Sequence, residues 1–257
     1  MKIVILGSGN IATFFAHRFQ QNGHEIVQVY SRTELHAQQL ASQLHCNYTS
    51  SLHEINKTAD VYVLAVSDDA VLTICETLNL NNKLILHTAG TLSLHHIDQS
   101  SANTGSIWCV YSIQKHAWPN HKNIPCVINA SNEESLLLVQ ELAKCISDQI
   151  IHLDDELKLN LHVAAVFANN FSNYLFGISY DILKNHNLSF NILLPLIQDT
   201  VNKLIHLTPT ELQSGPAKRG DVKTIEKHLT LLSSQTQYQE IYKLLSEAIM
   251  KANHFTT

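Results

Sequence analysis

The feature that most narrows the fold of this chain lies at its start. An apolar run, Ile3-Val4-Ile5-Leu6, meets the turn Gly7-Ser8-Gly9-Asn10-Ile11-Ala12. The segment Asn10 to Asn22 follows, with Ile11, Phe14, Phe15 and Phe19 at helical spacing until Gly23. A strand passing through a glycine turn into a helix is the context the G-x-G-x-x-G/A fingerprint requires. Gly7 permits the tight turn, Gly9 leaves the backbone open to a pyrophosphate, and Ala12 lets helix and strand pack closely. The exposed N–H groups and dipole of the new helix favour an anion at Ser8, Asn10 and Ile11. The chain has only eight glycines in 257 residues, so two at one junction point to a bound dinucleotide more than to a merely tight turn.

Strand-like and helical segments then alternate. Glu25 to Tyr30 reads as a strand, Glu34 to Leu44 as a helix, and Val61 to Val66 as a continuous apolar strand buried on both faces. Ser67-Asp68-Asp69 opens another helix. Lys83 to Thr88, Ser106 to Ser112, Ile124 to Asn129 and Gln149 to Leu153 read as strands, with a helix over Glu133 to Ile146. This pitch predicts an α/β, Rossmann-like doubly wound sheet over residues 1–153. After Asp154-Asp155 no strand-like run follows. Helices over Asp155 to Asn185, Phe190 to Leu207, Asp221 to Leu232 and Gln235 to Ala252 predict an all-helical second domain over 154–257.

Composition narrows the partners. The net charge is −5 and only 15% of residues are charged, with no cationic run longer than Lys218-Arg219, so neither nucleic acid nor an anionic membrane is an expected partner. A small molecule is. Five scattered cysteines without C-x-x-C suggest reduced core thiols, neither a disulfide framework nor a zinc site. His95-His96, His116 and His121 lack ligand spacing, and no metal is expected. The first apolar run is too short for a signal peptide, and asparagines and a serine interrupt Val163 to Ile178, so a cytoplasmic location is expected.

The residue that meets the adenosine ribose should end the second strand, where sites selecting NAD carry Asp or Glu. Here the chain reads Tyr30-Ser31-Arg32-Thr33. Two hydroxyls and a guanidinium suit a 2′-phosphate and select NADP(H), unless Arg32 is only a solvated loop residue. Val66 and Ser67, at the end of the next buried strand, join the cofactor-binding set. So do Thr88 and Gly90 of Thr88-Ala89-Gly90-Thr91, a turn that can also hold a substrate carboxylate or simply connect two elements.

Five stretches together resemble the proteins that join a Rossmann-like NADP-binding domain to a DUF2520 domain. They are Gly7-Ser8-Gly9-Asn10, Ala65-Val66-Ser67-Asp68-Asp69, His87-Thr88-Ala89-Gly90, Leu161 to Phe171, and Ser214 to Asp221. The resemblance covers essentially the whole chain. It implies kinship with β-hydroxyacid dehydrogenases, pyrroline-5-carboxylate reductases and F420-dependent NADP reductases. It also implies a helical C-terminal domain of the 6-phosphogluconate-dehydrogenase type, whose long helix lies by the cofactor and often builds a dimer. Two departures stand out. The hydroxyacid dehydrogenases carry Lys and Asn four apart on that helix, where this chain has His162 and then Asn169, Asn170 and Asn173, so no lysine is expected on that face. Where relatives carry His-Pro-Leu-Gln, this chain has Tyr111-Ser112-Ile113-Gln114.

On a regular helix His162, Val166, Asn169, Asn173, Gly177 and Tyr180 share one polar line, with Asn170 at its margin. The line is either an internal network or the wall of a polar pocket. In the second case His162 exchanges a proton during hydride transfer, Asn169 and Asn173 complete the candidate catalytic set, and Asn170 helps hold substrate. Lys218 and Arg219 can close over an acidic substrate, or Asp221 can simply cap the next helix beside two solvated cations. The leading expectation is an oxidoreductase acting by hydride transfer on a small carbonyl, imine or hydroxy acid at an interdomain cleft. The other is a non-catalytic NADP(H) sensor. A homodimer through Asp155 to Asn185 is expected because that helix is apolar on nearly every side.

Overall fold

The computed structural model describes residues 1–80, 82–115 and 117–253, so His116 lies outside the described residues, as do positions 81 and 254–257. The chain divides into two compact units, Met1–Ala168 and Asn169–Thr257. The change of sequence pattern at Asp154 marks the end of the strands, while the first compact unit continues through Ala168.

The first unit is one eight-stranded sheet. Its strands are β1 (Lys2–Leu6), β2 (Glu25–Tyr30), β3 (Asn47–Thr49), β4 (Val61–Leu64), β5 (Leu84–His87), β6 (Thr104–Cys109), β7 (Cys126–Ala130) and β8 (Ile150–His152). Their order across the sheet is β3-β2-β1-β4-β5-β6-β7-β8. Every pairing is parallel except β6 with β7, where Cys109 stands opposite Cys126. The continuous apolar runs follow from burial on both faces. Ile3 and Ile5 of β1, with Val61 and Val63 of β4, enter one core. Val4, Leu6, Tyr62 and Leu64 enter the other. Helices α1 (Asn10–Gln21), α2 (Glu34–Leu44) and α4 (Glu133–Ile146) cover the first core through residues such as Phe14, Leu40 and Leu142. Helix α3 (Asp68–Thr77) covers the second through Val71 and Ile74.

Helix α5 (Asp155–Ala165) leads into a π-helical turn over Val166–Phe171. The π turn corrects the polar line read from a regular helix. Its i→i+5 bonding takes up about one extra residue and turns the following residues by ~100°. The uniform spacing on which that line rests therefore does not hold through Val166–Phe171.

The second unit contains α6 (Ser172–Lys184), α7 (Leu194–Lys203), the short α8 (Pro209–Leu212), α9 (Val222–Leu231) and α10 (Thr236–Ala252). Helix α7 is preceded by a 3₁₀ turn at Phe190–Ile192 and begins with Pro195 in its first turn. Ala217, Ile225 and Met250 form its small buried cluster. All five cysteines are free. Among the described residues no helix is long and apolar enough to cross a membrane.

Candidate cofactor and active site

The C-terminal ends of β1, β2, β4 and β5 border one pocket of about 860 Å³. It lies where the strand order turns back between β1 and β4, the usual ligand position of an open α/β sheet. Only glycine fits position 7. Its φ is +131°, and a Cβ there would stand 2.1 Å from the Ala65 carbonyl oxygen. Gly9 is the opposite case, since a Cβ there would find no atom within 4 Å. That open space is what an approaching pyrophosphate needs.

The helices around the pocket share an electrostatic property. The N-caps of α1, α2 and α3 are Gly9, Thr33 and Ser67, and none makes a side-chain cap bond. Away from the pocket, Asn132 accepts the Ser135 N–H at 2.8 Å to cap α4. Asp154 likewise accepts the Leu157 N–H at 2.8 Å to cap α5. The three helix ends facing the pocket keep free donors and positive dipole ends, the arrangement that receives phosphates. Ser31 and Arg32 follow β2 in the lining, with the Ser8 hydroxyl donating to Ser31 Oγ at 2.9 Å. No carboxylate ends β2. Thr33 also lines the pocket, and so does His36, which sequence reasoning passed over although it lies one turn into α2.

The pocket wall reaches Thr88 and Ala89. Gly90, the next residue, is outside the lining. A Cβ on it would stand 2.5 Å from His162 Cδ2 and 2.8 Å from Trp108 Cε2, so its missing side chain makes room for two rings. Those rings meet in a tilted contact, with centroids 5.3 Å apart and planes at 50°. His162 is thus half-buried against the residue that follows the pocket wall.

Behind the turn lies a buried ionisable group. His87 is fully buried, and its Nδ1 accepts the Ala89 N–H at 3.3 Å. Burial first, and the nearby Lys158 ammonium second, push its pKa down to about 3. Lys158 is 1% exposed and donates to the Leu92 carbonyl at 2.6 Å and to Asp155 Oδ1 at 2.9 Å. Burial works to raise the Asp155 pKa, but hydrogen bonds from Lys158 and the Leu94 N–H outweigh it and hold the carboxyl below its usual value. The expectation of no lysine on the His162 face is therefore corrected: Lys158 precedes His162 by one i, i+4 step. That spacing, with Asp155 one turn earlier, was the signal available in the sequence.

Similarity to known proteins is extensive. The family model "Domain of unknown function (DUF2520)" matches residues 124–249, and the model "NADP oxidoreductase coenzyme F420-dependent" matches residues 2–90. A Bacteroides fragilis protein, BF3122, named as an NADP oxidoreductase, is 34% identical over 97% of this chain and 98% of its own, with a TM-score of 0.90. The chain belongs to the DUF2520 family of NADP oxidoreductases. Protein TM1727 from Thermotoga maritima is 25% identical over 97% of this chain and 99% of that one, with a TM-score of 0.76. An imine reductase from Myxococcus stipitatus in complex with NADP+ shares the fold at 15% identity and a TM-score of 0.64, over 98% of this chain and 94% of that one. No curated protein sequence matches the chain.

For this oxidoreductase the cofactor is NADP(H), and the open space at Gly9, the three uncapped helix ends and the Ser31-Arg32 pair fit its phosphates. Of the residues read from sequence as cofactor-binding, all but Gly90 line the pocket. The remaining candidates belong to the second unit. Asn169, Asn170 and Asn173 are exposed. Lys218 donates to Asn253 Oδ1, and Arg219 is exposed beside it. Asp221 caps α9 by accepting the Thr224 N–H at 3.1 Å, as the plainer reading of that loop had it.

Proposed function

We propose that this oxidoreductase reduces or oxidises a small carbonyl, imine or hydroxy acid, with His162 as the group that exchanges the proton. The observation that carries the reading is the adjacency of Ala89, in the wall of the pocket, and Gly90, in contact with the His162 ring. NADPH, when bound, supplies the hydride. Hydride addition to a C=O or C=N carbon leaves an oxygen or nitrogen that must take up a proton, and an imidazole serves that role near neutral pH. Arg32, Ser31 and Thr33 would hold the 2′-phosphate, while Gly9, Asn10 and Ile11 would present N–H groups to the pyrophosphate. The Thr88 hydroxyl would face the substrate. Asn169, Asn170, Asn173, Lys218 and Arg219 stay secondary candidates, since each is exposed or bonded elsewhere.

Screening imines, keto acids and aldehydes for loss of NADPH absorbance tests this reading. His162→Asn should leave NADPH affinity intact and lower turnover by roughly 10²- to 10⁴-fold. A fully active variant would remove His162 from the chemistry. NADPH binding with no turnover on any class would favour a sensor.

We also propose that the protein is a homodimer through the helical segment Asp155 to Asn185 and its neighbours. Support comes from large apolar side chains left in solvent: Phe171 at 50%, Tyr174 at 48%, Leu196 at 65% and Ile205 at 75% exposure. Exposed large apolar side chains in such number favour an interaction surface. A monomeric mass by light scattering at micromolar concentration would reject the dimer.

A further inference from the structure

One face of α5 meets alternate residues of the segment after β5 in three successive contacts. Asp155 Oδ2 accepts the Leu94 N–H at 2.9 Å. Lys158 Nζ donates to the Leu92 carbonyl at 2.6 Å. The His162 ring packs on Gly90. Positions 155, 158 and 162 follow the i, i+3, i+7 stripe of a helix, and 94, 92 and 90 are alternate residues of a segment that bends at Gly90 and Thr91 and enters a 3₁₀ turn at Leu94. Helix and segment are thereby zipped together in opposite directions, ending one residue short of the pocket wall. Packing at Gly90 alone is non-directional. The two polar contacts are directional, and Lys158 makes the one nearer to His162.

We propose that Lys158, held by Asp155, is a positioning residue that fixes the register of α5 on the 88–94 segment and so places the His162 ring against Gly90 and Trp108. The proposal rests on the reading of His162 given above. Burying an ammonium is costly, and an apolar side chain of similar length often stabilises a fold as well or better; the better-attested service of a buried ion pair is to specify register. Lys158 has that form. It is fully buried, its carboxylate partner lies on its own helix, and its other partner is a main-chain carbonyl 66 positions away in sequence. The same ammonium opposes protonation of His87, whose unprotonated Nδ1 holds the Ala89 N–H. Two consecutive residues of the turn, Ala89 and Gly90, are therefore steered from one charge.

The test is the position of the His162 ring, read from its ¹H–¹³C signals in histidine-labelled protein. The signals are assigned by their loss in His162→Asn. Trp108, 5.3 Å away, displaces them by its ring current. Lys158→Met should move these signals toward the positions of an exposed imidazole. Asp155→Asn should move them the same way by less, and serves if the lysine variant does not fold. Unmoved His162 signals in a folded variant, with only a lower melting temperature, would overturn the proposal and leave a merely stabilising pair. Turnover of the same variants separates the two claims. Displaced signals with undiminished turnover retain the positioning role and overturn the proton-donor role of His162.

Discussion

The two sides of the cofactor pocket are built on opposite electrostatic plans. Around β1, β2 and β4 the chain leaves donors unused: three helices begin without side-chain caps, and Arg32 extends into solvent. Around β5 and α5 the chain spends its polar groups on internal bonds, from the Asp154 cap to the Lys158–Asp155 pair and the His87–Ala89 bond, although His87 Nε2 is buried without a partner. The first side waits for an anion to complete it. The second holds its shape through these internal bonds. One side binds and the other holds a geometry, a division that stability and affinity measurements can separate.

The largest expected effect is on the closed side. His87 is buried neutral, with its pKa pushed down to about 3, so on acidification the unfolded chain takes up a proton before the folded one does. The stability it confers is complete above about pH 6.5 and is lost as the pH falls toward its folded value, a total of roughly 3 to 5 kcal/mol. Asp155, held below the usual carboxylate value, works in the same direction at still lower pH. Both tryptophans, Trp108 and Trp118, lie in the first unit, so urea unfolding followed by their fluorescence reports this unit. His87→Asn keeps an acceptor for the Ala89 N–H and removes the titration, so its stability should vary much less between pH 6.5 and 4. An unchanged acid slope would show that the closed side is not held by a neutral imidazole.

A smaller effect belongs to the open side. Arg32→Ala should weaken NADPH by about 1 to 3 kcal/mol, the range for charge-assisted hydrogen bonds, and leave NADH nearly unaffected. Calorimetry on both cofactors checks it. Equal losses for the two would move Arg32 from the 2′-phosphate to a part that both share, such as the adenine.

The open side was also the easier one to read from sequence. Gly7, Gly9 and the Ser31-Arg32 pair lie within a few residues of strand ends whose apolar runs are unbroken, because both faces of β1 and β4 are buried. Helices Glu34–Leu44 and Glu133–Ile146 carry periodic apolar stripes and have the limits that periodicity predicts. Strand β3 is three residues, Asn-Tyr-Thr, with no pattern of its own, and exists through its pairing with β2. The closed side depends on contacts between distant residues. Lys158 gains its role only when the Leu92 carbonyl is brought to it, and Gly90 reads as a ligand glycine until two rings fill its space. Nothing in Val166–Phe171 signals a π turn.

The smallest expected effect gives the cleanest contrast between the sides. Asn132 caps α4 through its side chain, so Asn132→Ala should cost about 1 kcal/mol in the free protein. Thr33 and Ser67 occupy the same position on α2 and α3 without making that bond, so Thr33→Ala and Ser67→Ala should change free-protein stability by no more than about 0.5 kcal/mol. Saturating NADPH should reverse the ranking. A ligand that binds only the folded state stabilises it in proportion to the logarithm of its concentration over Kd. Any change that weakens the pocket therefore reduces that increment. Thr33 and Ser67 line the pocket and Asn132 does not. The increment should shrink in the first two variants and stay whole in Asn132→Ala. Were Thr33→Ala and Ser67→Ala to cost as much as Asn132→Ala without cofactor, their side chains would be capping in solution and the open side would not be open.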